Sequence, residues 1–191
     1  MWKDQPFHLE VWIEKDALVG FLSDLGEHLG VRIAPCRGYQ SYTNRKRAIQ
    51  RFEEKRDAEG KEAVVLYCGD LDPSGIDMSR FLENEFSEIA RFKRVCLNLD
   101  DVETYNLPDG KIKNSDKRTP SYRKQFPLLG DKVYELDALP PGVLKDKVQR
   151  AVLAYFDQGI YDKNQRVVRH WRVGFTDYQK KIKGALGEIM T

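Results

Sequence analysis

The stretch from residue 63 to residue 75, AVVLYCGDLDPSG, constrains the fold more than any other part of the sequence. Its first four residues are apolar and include two β-branched valines, which predicts a short buried strand. Pro73 suits the first turn of a helix, and Asp72 suits the position that caps it. We therefore expect a strand that leads directly into a helix, the junction at which open α/β sheets usually carry their sites.

Three acidic residues follow two of the predicted strands. Asp70 and Asp72 are two positions apart, and on an extended backbone their side chains point the same way. Residues 8–13 also predict a strand, after which Glu14 precedes leucines at helical spacing. If both strands lie parallel in one sheet, the three carboxylates meet at its carboxyl edge, where their repulsion favours a divalent cation, Mg²⁺ above all. For the two aspartates alone, a turn with one capping aspartate is the alternative.

Two segments of the chain resemble the Toprim domain, which topoisomerases, bacterial primases and some nucleases share. They are VWIEKDAL at residues 11–18 and GDLDPSG at residues 69–75, and the second is most similar to the Toprim domain of topoisomerase VI. Other segments resemble uncharacterised Toprim proteins of phages, plasmids and microbial genomes; these are residues 105–108, 113–118 and 135–141. The resemblance covers about residues 8–157.

The resemblance implies an α/β, Toprim-like (Rossmann-like) domain with a central, mostly parallel sheet flanked by helices. It also implies that Asp70 and Asp72 hold Mg²⁺, or Mn²⁺, and that Glu14 serves as a metal ligand or a general acid/base. The implied activity is metal-dependent cleavage or transesterification of phosphodiester bonds in DNA, with RNA not excluded. The alternative is a non-catalytic module that binds nucleic acid or a partner in phage or plasmid maintenance.

One departure from topoisomerase VI bears on the nucleophile. That family carries its catalytic tyrosine in a winged-helix domain before the Toprim domain, and 191 residues leave no room for one. We expect either that water attacks, as in a nuclease or nickase, or that a missing N-terminal domain or a separate partner supplies the tyrosine. Tyr39, Tyr42 and Tyr122 are near the predicted site, but structural or stacking roles suit them better.

Basic residues in two predicted loops are candidates for nucleic-acid binding. Arg37 lies beside Gly38 in the loop after a predicted strand at residues 31–36. Residues 108–130 show no periodicity and predict a long loop, a feature that is often functional. Within it, residues 111–124 carry six basic residues with one acid and one tyrosine among them, a pattern typical of phosphate contact; they are Lys111, Lys113, Lys117, Arg118, Arg123 and Lys124. A solvated surface loop is the alternative.

The composition of the chain bears on the location of the protein and on the state of its cysteines. Charged residues make up 32% of the chain, and no run approaches the ~20 apolar residues of a membrane span, so we expect a cytoplasmic protein. The three cysteines lie in or beside predicted strands and are expected to be buried free thiols.

Residues 158–191 predict an amphipathic helical tail whose apolar stripe includes Trp171. This tail is expected to pack on the domain of residues 8–157; association as a homodimer is the alternative.

Overall fold

The computed structural model describes residues 1–37, 42–112 and 115–189, with the backbone alone for residue 177 and residues 180–189. The chain divides into two units. The larger unit is Pro6–Phe156, and the smaller combines Met1–Gln5 with Asp157–Thr191.

The larger unit is built on a four-stranded parallel sheet with the order β2-β1-β3-β4. Its strands are β1 (Phe7–Ile13), β2 (Arg32–Pro35), β3 (Glu62–Cys68) and β4 (Ala90–Cys96). Its helices are α1 (Asp16–Leu29), α2 (Tyr42–Glu59), α3 (Pro73–Phe86), α4 (Leu99–Tyr105), α5 (Thr119–Gln125) and α6 (Pro141–Leu153). The prediction of an α/β, Rossmann-like fold with a mostly parallel sheet is confirmed.

The two central strands, β1 and β3, are buried because helices cover both faces of the sheet. On one face, the Trp12 ring lies 5.0 Å from that of Phe86 in α3 and 6.3 Å from that of Phe52 in α2, measured between centroids. Residues at alternate positions of β1 turn to the other face, where the apolar sides of α1 and α6 supply a second buried layer. Cys36, Cys68 and Cys96 are all buried, as predicted.

The register of the central strands determines which residues meet at the carboxyl edge of the sheet. Ile13 lies opposite Cys68, so that β1 and β3 end at the same level. The chain stays paired one residue further, because the Glu14 N–H donates to the Cys68 carbonyl at 2.9 Å. The residues after β1 and β3 are therefore neighbours.

Apolar and β-branched residues also predict strands at residues 94–99 and 133–136, and both differ from what is observed. The strand predicted at residues 94–99 is β4 and ends at Cys96, because Asn98 and Asp101 form a capping box that begins α4. Residues 133–136 do not extend the parallel sheet. Instead, β6 (Lys132–Val133) pairs antiparallel with β5 (Gly110–Lys111), and Tyr134 forms an isolated antiparallel bridge with Leu71. A 3-10 turn follows.

The long loop predicted at residues 108–130 is also partly wrong, because it contains β5 and α5. A helix of only seven residues has too few turns to show a periodic pattern. Pro120 lies in the first turn of α5, a position that proline tolerates. Tyr122, on the same helix, is buried.

The smaller unit consists of α7 (Gln158–Ile189) and the first residues of the chain. The Gln5 side chain donates to the Asp157 carbonyl and accepts the Asp157 N–H, both at 2.8 Å. Trp171 on α7 is 73% exposed, so its stripe presents an open aromatic surface, and its packing against the domain or a second copy stays a prediction. None of the described helices is both long enough and apolar enough to cross a membrane.

Candidate functional site

Glu14 and Asp70 meet where β1 and β3 end. Glu14 Oε2 accepts the Asp70 backbone N–H at 3.0 Å and the Tyr67 hydroxyl at 3.0 Å. A Cβ at Gly69 would lie 2.5 Å from this oxygen and would also collide with the Tyr67 hydroxyl, so a side chain does not fit there. The close approach of the loop after β3 to Glu14 therefore depends on glycine.

Asp70 and Asp72 are each anchored by a backbone amide. Asp70 Oδ1 accepts the Leu136 N–H at 2.7 Å, and Asp72 Oδ1 accepts the Gly75 N–H at 2.6 Å, which caps α3. The capping role considered for one aspartate thus belongs to Asp72. In all three acids one oxygen is anchored, while the other has no hydrogen-bond partner among the residues that the structure describes. The three carboxylates are held in place and still have oxygens available for a ligand.

The electrostatics of the site disfavour three negative charges. Burial raises the pKa of Glu14, and the nearby charge of Asp70, with a smaller effect from Asp72, raises it further. Burial also raises the pKa of Asp70, although the Leu136 N–H and Lys15 oppose the shift. The acids at this edge are close enough to repel one another, so the site favours a proton or a bound cation.

Lys15 is a nearby cation that the sequence reasoning did not consider. Its Nζ lies 2.8 Å from both Glu135 Oε2 and Asp137 Oδ2. Asp137 follows residues 133–136, which predict a strand, so the sequence suggests that it joins the acidic edge or caps a helix. In the structure it pairs with Lys15. Burial lowers the pKa of Lys15, but the bonds to Asp137 and Glu135 outweigh it and raise the value overall. Lys15 thus ties the start of α1 to the segment that anchors Asp70.

Arg94 on β4 holds the loop that carries the aspartates, and sequence reasoning missed it as well. Its Nη2 donates to the Gly69 and Asp70 carbonyls at 2.7 and 2.5 Å, and its Nε donates to the Leu97 carbonyl at 3.0 Å. Nη1 bonds to the Gly75 carbonyl at 3.3 Å and to the Ser79 hydroxyl. All five guanidinium N–H groups are therefore used on main-chain carbonyls and one hydroxyl.

The alternation of β4 could have revealed this role. Ala90 and Phe92 belong to the buried face of the sheet, and a period of two places Arg94 on that face with them. An arginine at a core-facing position must find partners inside the protein. The guanidinium also lies 5.5 Å from the ring centroid of Tyr67, whose hydroxyl donates to Glu14.

The donor set at this edge suits a hard divalent cation, since all three groups are carboxylates. Within residues 1–37, 42–112 and 115–189, no group of three or more His, Cys, Asp or Glu side chains is already spaced to share one ion. Mg²⁺ usually takes one or two protein carboxylates and completes its shell with water and substrate phosphates. If an ion binds here, one or two of these carboxylates would hold it, and water would complete its shell.

Among the predicted nucleic-acid-binding residues, the structure brings Arg118 and Lys117 to the start of α3. Arg118 Nη1 donates to the Ser74 hydroxyl at 3.1 Å, two residues after Asp72. Arg118 also pairs with Asp116 at 2.8 Å and lowers the pKa of that carboxyl. Both basic residues line a cavity of about 190 Å³ beside the first turn of α3.

The other predicted basic residues are not gathered there. Arg123 pairs with Asp131 at 2.6 Å, and Arg37, Lys111 and Lys124 are exposed. Lys113 lies outside the described residues.

The three candidate tyrosines have different surroundings. Tyr122 is buried, and its hydroxyl lies 3.1 Å from the Leu71 carbonyl and 2.9 Å from the Lys132 carbonyl. Burial raises its pKa, so it is poorly suited to attack a phosphate, and its role is structural. Tyr42 is exposed beneath the Lys46 ammonium, and Tyr39 lies outside the described residues.

In comparisons with known proteins, neither a family model nor a curated protein matches this chain. Its function is therefore inferred from the residues at the carboxyl edge and from their geometry.

Proposed function

We propose that this protein is a Toprim-like, metal-dependent enzyme that cleaves or transesterifies phosphodiester bonds in nucleic acid, with DNA as the expected substrate. The observation that carries the proposal is the meeting of Glu14, Asp70 and Asp72 at one sheet edge. They are partly buried, repel one another and keep one oxygen each without a hydrogen bond to the described part of the chain. An acid that served only the fold would be expected to carry its own counter-charge.

Glu14, Asp70 and Asp72 are the residues that would hold Mg²⁺ or Mn²⁺, with water completing the shell. Once bound, the ion would neutralise the phosphate and stabilise the leaving oxygen. Asp72 keeps its capping bond to α3 through one oxygen, and Asp70 keeps its bond to Leu136. These two backbone bonds would set the direction from which Asp70 and Asp72 face the substrate.

Glu14 is the best candidate for moving a proton. The Tyr67 hydroxyl and the Asp70 N–H hold its Oε2, so that the side chain has a defined orientation. Its other oxygen can accept a proton from an attacking group or return one to a leaving group. Arg94 is a positioning residue here, because it holds the carbonyls of the loop on which Asp70 lies.

The substrate backbone is proposed to lie along the start of α3. Lys117 is exposed at the cavity there, and Arg118 reaches Ser74 in the first turn. A helix N-terminus adds partial positive charge, which favours a phosphate at this position. Since Tyr122 is buried, the nucleophile is either water or a tyrosine from a further N-terminal region or a partner protein.

The test is a supercoiled-plasmid assay with Mg²⁺, Mn²⁺ or a chelator, because it separates nicking, double-strand cleavage and relaxation. Wild-type protein should act only with a divalent ion, and Asp70→Asn should be inactive. Glu14→Gln should reduce the rate by about 100-fold. Asp24→Asn, on the exposed side of α1, removes the same charge and should leave activity unchanged. Activity that persists in the chelator, or in Asp70→Asn, would overturn the proposal.

The second candidate is a non-catalytic module that binds nucleic acid or a protein partner. It is favoured by the fact that no three acids in the described part of the chain are already spaced for one ion. Such a module would bind an oligonucleotide equally well in Mg²⁺ and in chelator, would gain no stability from Mg²⁺, and would leave the plasmid intact.

A further inference from the structure

A small basic cavity of about 150 Å³ lies between the sheet and the first turns of α2, and the acids at the carboxyl edge do not line it. Three arginines line it: Arg32 from β2, and Arg47 and Arg51 from α2. No acidic residue is among the described residues that line it. A concave surface with three guanidinium groups and no such carboxylate is suited to an anion.

One carboxylate, that of Glu10, lies beneath the arginines and is already paired with Arg51. Glu10 on β1 is fully buried and forms two bonds with Arg51, Nε to Oε1 at 2.8 Å and Nη2 to Oε2 at 3.0 Å. Its Oε2 also accepts the Trp12 indole N–H at 2.9 Å. Arg51 and Glu10 therefore neutralise each other.

Arg32 and Arg47 are left in excess. The Arg32 Nε lies 3.8 Å from Glu10 Oε2, which is too long for a hydrogen bond. Neither side chain makes a hydrogen bond to another residue in the described part of the chain. Arg51 Nη1 donates to the Arg47 backbone carbonyl at 3.0 Å, a bond that does not involve the Arg47 guanidinium. Two positive charges with up to five N–H donors each thus face one cavity without an acceptor among the described residues.

We propose that this cavity binds a phosphate group. Guanidinium groups bind phosphate oxygens through paired N–H donors, and two arginines in excess match the charge of a phosphate dianion. At about 30 Å³ per water, the cavity has room for about five waters, enough for one phosphate. Trp12, the aromatic residue that lines it, is 1% exposed, so its ring is not available to stack on a base.

The phosphate could belong to a small molecule or to a nucleic-acid backbone, since both present the same chemistry. The cavity does not depend on the carboxylates at the sheet edge, because Glu14, Asp70 and Asp72 do not line it. The two proposals can therefore fail separately.

The first arm of the test measures binding of inorganic phosphate by isothermal titration calorimetry. The variant is Arg32→Gln with Arg47→Gln, which keeps Arg51 and its pair with Glu10 intact. The control is Arg169→Gln with Arg172→Gln, which removes the same charge from exposed positions on α7. The cavity variant should lose at least tenfold in affinity, and the control less than twofold. Equal binding by wild-type and cavity variant would mean an adventitious ion only and would overturn the site.

The second arm measures binding of a single-stranded and a duplex oligonucleotide, in chelator, as a function of salt. If the phosphate comes from a nucleic-acid backbone, the cavity variant should bind more weakly, and its salt slope should fall by about one unit per lost contact. If only phosphate binding is lost, the ligand is a small phosphorylated molecule. Thermal unfolding of each variant checks that it is folded. Asp70→Asn should bind phosphate normally, because the acidic site is not involved.

Discussion

Glu10 and Glu14 lie four residues apart, one on β1 and the other just beyond its end. Their surroundings shift their pKa values in opposite directions. Burial of Glu10 opposes its ionisation, yet its neighbours His8, Arg51 and Trp12 lower its pKa to about 2. The bonds to Glu14 come from neutral groups, and burial and the charge of Asp70 raise its pKa.

The difference is one of charge compensation. A buried carboxylate costs several kcal/mol unless a cation and hydrogen bonds offset the lost solvation. Arg51 supplies that cation for Glu10, so the pair belongs to the stable core. Arg94 is a partly buried cation close to Glu14, but it donates to carbonyls and a hydroxyl and not to the carboxylate. Among the described residues, no cation is therefore bonded to Glu14.

The largest expected effect is the loss of the Glu10 charge. Glu10→Gln leaves the Arg51 guanidinium without its counter-charge, and it should lower the free energy of unfolding by about 3 kcal/mol. The Arg51 side chain is 34% exposed, which keeps the loss near the lower end for a buried pair. Urea unfolding at pH 7 in chelator measures it.

Glu14→Gln is the matched control, since it changes the same atoms on the same segment of chain. Without metal it should be at least as stable as the wild-type protein, because it removes repulsion with Asp70. A larger loss of stability in Glu14→Gln than in Glu10→Gln would reverse the comparison.

Arg94→Lys tests whether the arginine acts by its shape or by its charge. Lysine keeps the charge but cannot reach five acceptors in one plane, so several buried carbonyls lose their donor. We expect a loss of about 2 kcal/mol in unfolding free energy and a weaker Mg²⁺ response. Arg80→Lys, an exposed arginine on α3, should change stability by less than about 0.5 kcal/mol. Unaltered stability and Mg²⁺ binding in Arg94→Lys would show that the charge alone matters.

Addition of Mg²⁺ separates the two glutamates directly. A ligand that binds the folded state alone stabilises it by about 1.4 kcal/mol at ten times its Kd. Wild-type protein and the Glu10→Gln variant should both gain this stability, whereas Asp70→Asn and Glu14→Gln should gain little. Thermal unfolding with and without Mg²⁺ at about ten times its Kd measures the gain. If all four proteins respond alike, the ion binds elsewhere.

The smallest effect is the acid sensitivity that Glu10 confers. Its pKa of about 2 in the folded state lies below the ordinary value of 4.5, so its stabilisation is complete above pH 4.5 and is lost as the pH falls toward 2. Between about pH 5 and about pH 3.5 the wild-type protein should lose about 1 kcal/mol more than Glu10→Gln. Parallel stability curves for the two proteins over this interval would show that Glu10 has no such depressed pKa.

The sequence predicted the parallel sheet and the meeting of Glu14 with Asp70, because both features follow from strand-to-helix junctions and apolar runs. Arg94 was not predicted, because it follows the exposed residues Arg91 and Lys93 and looks like a third surface charge unless the alternation of the strand is followed. Sequence reasoning also missed the anchor at Leu136, because a backbone amide far along the chain leaves no mark in residue type. The basic residues were found by composition, but composition could not tell that Arg123 pairs with Asp131.

The contacts of Arg94 have a consequence for redesign. Because Arg94 bonds mainly to carbonyl oxygens, its hold on the loop after β3 does not depend on the side chains that the loop carries, and the Asp70 and Asp72 side chains add their own bonds to Leu136 and Gly75. Gly69 and Gly75 must remain, since a Cβ at either would collide with neighbouring atoms. Asparagine at position 70 or 72 would keep the side-chain oxygen that accepts the Leu136 or the Gly75 N–H, so the main chain should keep its path when a charge is removed there. The charge and the backbone geometry of this loop can therefore be varied independently.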